Sequence, residues 1–130
     1  MGELRKDYIL DRYALIVSER AKRPDEFITQ PHEVNEKICY FCPGNEHLTP
    51  PEIERYPEDA DEWQVRVFPN KFPAVQTNGQ FQLRTDNGFY TYSDAYGMHE
   101  VLVETPNHNE ILADLKTSQI SDFMNPTRNN

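Results

Sequence analysis

The chain has two cysteines, Cys39 and Cys42, separated by two residues in the stretch KICYFCPGNEHLTPPE. A Cys-x-x-Cys pair supports three kinds of chemistry: plain buried thiols, a redox couple, or half of a metal site. A thioredoxin-like redox pair opens a helix after a strand. Here Pro43, Gly44 and Asn45 follow the second cysteine and predict a turn. That context weighs against redox chemistry and suits a knuckle that aims two thiolates at one ion. Zinc prefers four ligands in a tetrahedron, so two further donors would be needed from among His32, His47, His99 and His108. Spacing alone leaves the metal site and the buried thiols both open.

A second cluster with chemical potential is the stretch RAKRP, in which Arg20 and Arg23 stand three apart with Lys22 between them. It is a basic spot on an acidic chain, and its plain reading is a solvated turn. His108, in TPNH, reads on its own as a solvated loop histidine or as a cap for the helix expected after it.

The rest of the sequence has to position these groups. The chain of 130 residues is long enough for one domain with a real core. Hydrophobic residues at 37% and aromatic residues at 12% exceed what a disordered chain carries, while ten prolines predict long ordered loops. A net charge of −9 disfavours broad attraction to nucleic acid or an anionic membrane. No apolar run approaches the roughly 20 residues of a membrane span. The N-terminus MGELRKDYIL lacks the apolar core of a signal peptide, and Lys6 stands where a myristoylation signal wants Ser or Thr. A soluble cytoplasmic protein is expected.

Strands are predicted at Tyr13–Arg20, Trp63–Asn70 and His99–Pro106, with a further extended piece at KFPAVQ. Asn87-Gly88 predicts a tight hairpin turn between β-favouring flanks. The Pro- and acid-rich segment Glu46–Glu62 reads as an irregular excursion. Apolar residues at 111, 112, 115, 120, 123 and 124 predict one amphipathic helix with imperfect phase. The fold class is therefore α+β. Tyr13–Ser18, Gln64–Phe68 and His99–Glu104 are expected to neighbour one another in a single antiparallel sheet, with Ile111, Leu112 and Leu115 on the helix that covers it. The sheet looks unfinished, because the tail NPTRNN supplies no core residue.

Four separated segments, LIVSERAKRP, CYFCPGN, VRVFPNKFPAV and GMHEVLVETPNH, together resemble the N-terminal portion of galactose-1-phosphate uridylyltransferases, a family of the histidine-triad superfamily. The resemblance covers most of residues 8 to 116, in the same order and at similar spacing. It implies an antiparallel half-barrel sheet with a packed helix, histidine-triad-like and incomplete. The whole chain, 1–130, would be the N-terminal part of such a domain.

The resemblance implies zinc as cofactor, with Cys39, Cys42 and His108 as three of four ligands. The fourth ligand and the nucleophile would come from a His-Pro-His motif that these residues do not contain. The family's reaction is a double displacement. UDP-glucose gives up its uridylyl group to a histidine, which passes it to a hexose 1-phosphate and yields UDP-galactose. By resemblance, Arg20 and Arg23 would bind phosphates, Phe68 and Asn70 would line the uridine pocket, and Val101 would pack near the base. A guanidinium grips two phosphate oxygens at once, and an Asn amide both donates and accepts. Lys71 stands where some relatives have an acidic residue, so no contact is carried over there.

The bland reading of Phe68 and Val101 is ordinary core, and His32, His47 and His99 carry no implied role. No catalytic residue lies within 1–130, so this chain alone is expected to be inactive. The expected partners are UDP-glucose or UDP-galactose and a hexose 1-phosphate, without nucleic acid or membrane. The resemblance leaves room for a homodimer in a full-length member. Two alternatives remain: a related nucleotide phosphorylase or adenylyltransferase of the same superfamily, and a non-catalytic zinc-knuckle binding module.

Overall fold

The computed structural model describes residues 2–18 and 38–124. Its strands are β1 (Glu3–Lys6), β2 (Tyr13–Ile16), β3 (Glu54–Tyr56), β4 (Val65–Pro69), β5 (Arg84–Asp86), β6 (Tyr90–Asp94) and β7 (Glu100–Val103), and one α-helix, α1, spans Thr117–Met124. They form two antiparallel sheets, ordered β2-β1-β6-β5 and β3-β4-β7. The chain divides accordingly into two compact units: residues 2–18 with 72–99, and residues 38–71 with 100–124, of those described. The single sheet expected from the sequence is corrected here. Tyr13–Ile16 belongs to the first unit, whereas the strands after Gln64 and His99 pair with each other in the second, Val67 opposite Leu102.

In the first unit, Asp7 closes the β1–β2 connection. Its carboxylate accepts the N–H groups of Ile9 (2.9 Å) and Leu10 (3.3 Å), and binds the Arg12 guanidinium at 2.9 Å. These bonds replace those the backbone loses at the turn. Gly2 is needed by close approach, because a Cβ there would stand 2.9 Å from the Ala74 carbonyl oxygen. The Asn87-Gly88 turn forms as expected. Both residues take positive φ (53° and 66°), and the Phe89 N–H donates to the Asp86 carbonyl at 3.0 Å, which joins β5 to β6. β1 was not legible because ELRK shows no β-type alternation, and it exists through pairing on both sides, with β2 and β6. β2 is an edge strand with all four residues exposed, so the run Tyr13–Ile16 is not the core strand its apolar content suggests.

The second unit carries the better-packed core. β4 lies between β3 and β7, and Trp63, Val65 and Phe68 are buried with Leu115. Arg66, 1% exposed, is buried among them. Its guanidinium carbon lies 5.5 Å from the Trp63 ring centre and 5.1 Å from that of Phe68. Its Nε donates to Glu52 at 2.8 Å and Nη2 to Thr49 Oγ1 at 3.2 Å. These bonds tie the stretch before β3 to the central strand. The expected irregular excursion at Glu46–Glu62 is thus partly ordered: a 3-10 turn spans Glu46–Leu48 and β3 follows.

The predicted helix is also corrected. A 3-10 turn occupies Leu112–Asp114, Leu115 is extended (φ −70°, ψ 142°), and α1 begins only at Thr117. Leu115 is buried, but Ile111 (63% exposed) and Leu112 lie at the surface and cover no sheet. The apolar positions 115 and 120 are five apart, which places them on different faces of a continuous helix, and the chain is extended at Leu115 between the two helical pieces. Among the described residues no helix is long and apolar enough to cross a membrane.

Candidate metal centre

The Cys-Pro-Gly-Asn sequence folds into the predicted knuckle. The Cys42 N–H donates to the Cys39 carbonyl (3.4 Å), and the Asn45 N–H donates to the Cys42 carbonyl (3.1 Å). Gly44 takes φ +93°, a conformation that L side chains rarely adopt. The Asn45 side-chain amide reaches back to the Cys39 carbonyl at 2.8 Å. Glu46 divides its carboxylate: one oxygen accepts the Gly44 N–H and the other the Trp63 Nε1–H, each at 2.8 Å. These bonds, from Trp63 first, hold the Glu46 carboxyl below the usual carboxylate range. They also connect a surface turn to a tryptophan that is 3% exposed.

His108 comes from the loop that follows β7. There Glu110 accepts hydrogen bonds from Thr105 Oγ1 (2.6 Å) and Asn107 Nδ2 (3.0 Å) through one oxygen. The Asn107 N–H donates to Thr105 Oγ1 at 3.2 Å, and the Glu110 N–H to the Asn107 carbonyl at 3.2 Å. His108 projects from this closed loop with its ring exposed.

The two pieces converge. The Cys42 sulfur lies 3.4 Å from His108 Nδ1, and one atom from each of Cys39, Cys42 and His108 falls within 4.8 Å of the others. The three residues border a cleft of about 240 Å³, also lined by Phe41, Val103 and Glu110. Both cysteines are free. The Phe41 backbone N–H draws the Cys39 thiol below its usual range, with further help from Cys42 and His108. Cys42 is held above its usual range, chiefly through its hydrogen bond with Cys39. Two sulfurs and an imidazole nitrogen so disposed are a donor set able to hold a metal ion.

The other residues singled out in the sequence are distributed differently. Arg20, Arg23 and His32 lie outside the described residues. Phe68 is 2% exposed, its ring centre 6.0 Å from that of Phe41. Asn70, just past the end of β4, and Val101 in β7 are half-buried. His47 is exposed. His99 Nδ1 accepts the Ala74 N–H at 2.9 Å, a structural use of its ring. Sequence reasoning missed Glu46, Glu110 and the Glu52–Arg66 pair. Only their folded neighbours distinguish these from the other charged residues of the chain.

A family model described as galactose-1-phosphate uridyl transferase, N-terminal domain, matches residues 3–128. An ADP-glucose phosphorylase of Arabidopsis thaliana is 34% identical over 126 residues, covering 94% of this chain and 36% of the relative. A galactose-1-phosphate uridylyltransferase of Haemophilus influenzae is 27% identical over 127 residues, covering 92% of this chain and 34% of the relative. Among solved structures, the Arabidopsis phosphorylase with bound ADP-glucose superposes with a TM-score of 0.55 at 33% identity, over 95% of this chain and 35% of that one. A uridylyltransferase structure gives 0.57 at 29% identity, over 94% and 31%. The chain spans about a third of the length of the curated relatives it matches.

Proposed function

The chain belongs to the galactose-1-phosphate uridyl transferase family, and from that premise we propose that it is the metal- and nucleotide-binding part of an enzyme that transfers a nucleotidyl group from a nucleoside diphosphate sugar. The observation that carries this reading is the convergence of Cys39, Cys42 and His108 to within 4.8 Å, from positions 66 residues apart at their widest consecutive gap, in a chain matched to that family. Zinc fits the donor set. Two thiolates and an imidazole are its usual ligands, and donors about 2.0–2.3 Å from a tetrahedral ion stand roughly 3.5–4 Å apart. The 3.4 Å sulfur–nitrogen pair is already near that spacing. When bound, zinc would act structurally, pinning the knuckle to the loop after β7. A reducing, cytoplasmic setting belongs to this reading, because the thiols must stay reduced.

Transfer between phosphates depends mainly on positioning and charge stabilisation. Arg20 and Arg23 are the candidate phosphate grips, and Asn70 the candidate contact to base or ribose. Phe68, packed in the core, anchors the strand that leads to Asn70. Residues 1–130 contain no His-x-His pair. In this reading the histidine that takes the nucleotidyl group lies outside them, and the chain alone binds nucleotide without forming an adduct.

Two substrate pairs follow from the relatives. The higher identity to an ADP-glucose phosphorylase, 34% against 27% for a uridylyltransferase, favours ADP-glucose with inorganic phosphate. UDP-glucose with galactose 1-phosphate is the second reading. Calorimetric titration of the zinc-loaded chain with ADP, UDP and their glucose esters tests the binding role, and labelled nucleotide sugars test for an adduct. Binding at millimolar concentration or tighter without adduct is expected. A folded, zinc-loaded chain that binds none of them overturns the nucleotide reading, and a stable nucleotidyl adduct overturns the inactivity of the chain alone.

A further inference from the structure

We propose that Glu46 and Glu110 are positioning residues that preset the Cys39–Cys42–His108 cluster from two sides, each acting through hydrogen bonds rather than as a ligand. The inference rests on the metal reading of that cluster. Neither carboxylate belongs to the group whose donor atoms gather within 4.8 Å. Each instead closes one of the two loops that deliver those donors.

Glu46 acts on the knuckle. Gly44 stands two residues past Cys42, and its N–H is held at 2.8 Å by one Glu46 oxygen. The other oxygen is held at 2.8 Å by the indole N–H of buried Trp63. The turn that aims Cys42 is thereby referenced to the core of its unit. Both oxygens are in use, so a side chain with a single acceptor must give up one of the two ties. Glu110 acts on the other loop. One of its oxygens takes the Thr105 hydroxyl at 2.6 Å and the Asn107 amide at 3.0 Å. Asn107 immediately precedes His108, so the bond limits the directions in which the imidazole can point. A donor cluster that is already shaped loses less conformational freedom when an ion binds.

Cobalt(II) titration of the full chain tests this. The sulfur-to-cobalt charge-transfer absorption reports thiolate coordination, and urea unfolding of the metal-free chain reports stability separately. Glu46→Gln keeps charge-free hydrogen bonding but only one acceptor oxygen, and Glu110→Gln weakens the clamp on Asn107. Each should lower cobalt affinity per folded molecule by about 10–100-fold, the range found when partners of metal ligands are removed. Thr105→Val and Asn107→Ala, which leave Glu110 in place, should lower it in the same direction and keep the test open should a Gln variant fail to fold. Affinity within about threefold of the parent in the folded variants would overturn the positioning role. So would a loss fully accounted for by a smaller folded fraction. A parent chain that binds no cobalt overturns the metal reading and this inference with it.

Discussion

His108 Nδ1 lies 3.4 Å from the sulfur of Cys42, although 66 positions separate the two residues. A short loop and a distant strand end are thus held together at one point where an ion can bridge them. Metal removal should therefore destabilise the second unit. A ligand at 100 times its dissociation constant stabilises by roughly 2.7 kcal/mol, so chelation of a zinc-loaded sample should remove stability of that order. His108→Ala and Cys42→Ser should abolish the difference between loaded and chelated protein in thermal unfolding. Equal melting of loaded and chelated parent protein would count against the site.

Glu52 stands between two guanidinium groups, those of Arg55 and the buried Arg66. Its carboxyl is held below the usual range, first by the Arg55 hydrogen bond and then by Arg66, with burial opposing. Because the folded value is the lower one, the stabilisation is full above about pH 4.3 and is lost as pH falls through the folded value. Glu52→Gln leaves the Arg66 charge buried without its counter-charge and should cost roughly 3 kcal/mol at pH 7. In urea unfolding across pH 7 to 3, parent and variant should converge at the acid end. A gap that stays constant with pH would refute the assignment.

Strand order predicts the pattern of hydrogen exchange. β4 has a neighbour on each side, whereas β7 and β2 are edges of their sheets. Amides of Val65–Phe68 should exchange slowest, those of Val101–Val103 faster, and those of exposed Tyr13–Ile16 fastest of the three. Protection at Tyr13–Ile16 equal to that of β4 would contradict the two-sheet arrangement.

Arg23→Ala should weaken nucleotide binding by about one to two orders of magnitude if its guanidinium grips a phosphate, since a charge-assisted hydrogen bond is worth roughly 1.5–3 kcal/mol. The loss should shrink as salt rises, because salt screens the attraction between guanidinium and phosphate. Titrations of parent and variant with ADP and UDP at two ionic strengths measure both effects. An unchanged dissociation constant would return RAKRP to an ordinary solvated turn.

The sequence by itself determined the features set by local chemistry. Pro43, Gly44 and Asn45 dictate a knuckle, since Gly44 alone tolerates φ +93° at little cost. Asn87 and Gly88 dictate the hairpin turn for the same reason. The apolar runs around Val65 and Val101 dictate strands, because burial rewards them in any partner arrangement. The family was legible through the motifs built on those features, and His108 became a candidate ligand only through that resemblance.

Tertiary structure decided what depends on partners distant in the chain. ELRK becomes a strand only because β2 and β6 flank it, and YALI becomes an exposed edge because pairing assigns it there. After β7 the chain makes a 3-10 turn at Leu112–Asp114, is extended at the buried Leu115, and becomes helical only from Thr117. Glu46, Glu52 and Glu110 look alike in a sequence rich in acidic residues. They differ in what faces them: a buried indole, two guanidinium groups, and a hydroxyl with an amide beside His108. A carboxylate's effect is set by the donors it meets, and only the folded chain brings those donors to it.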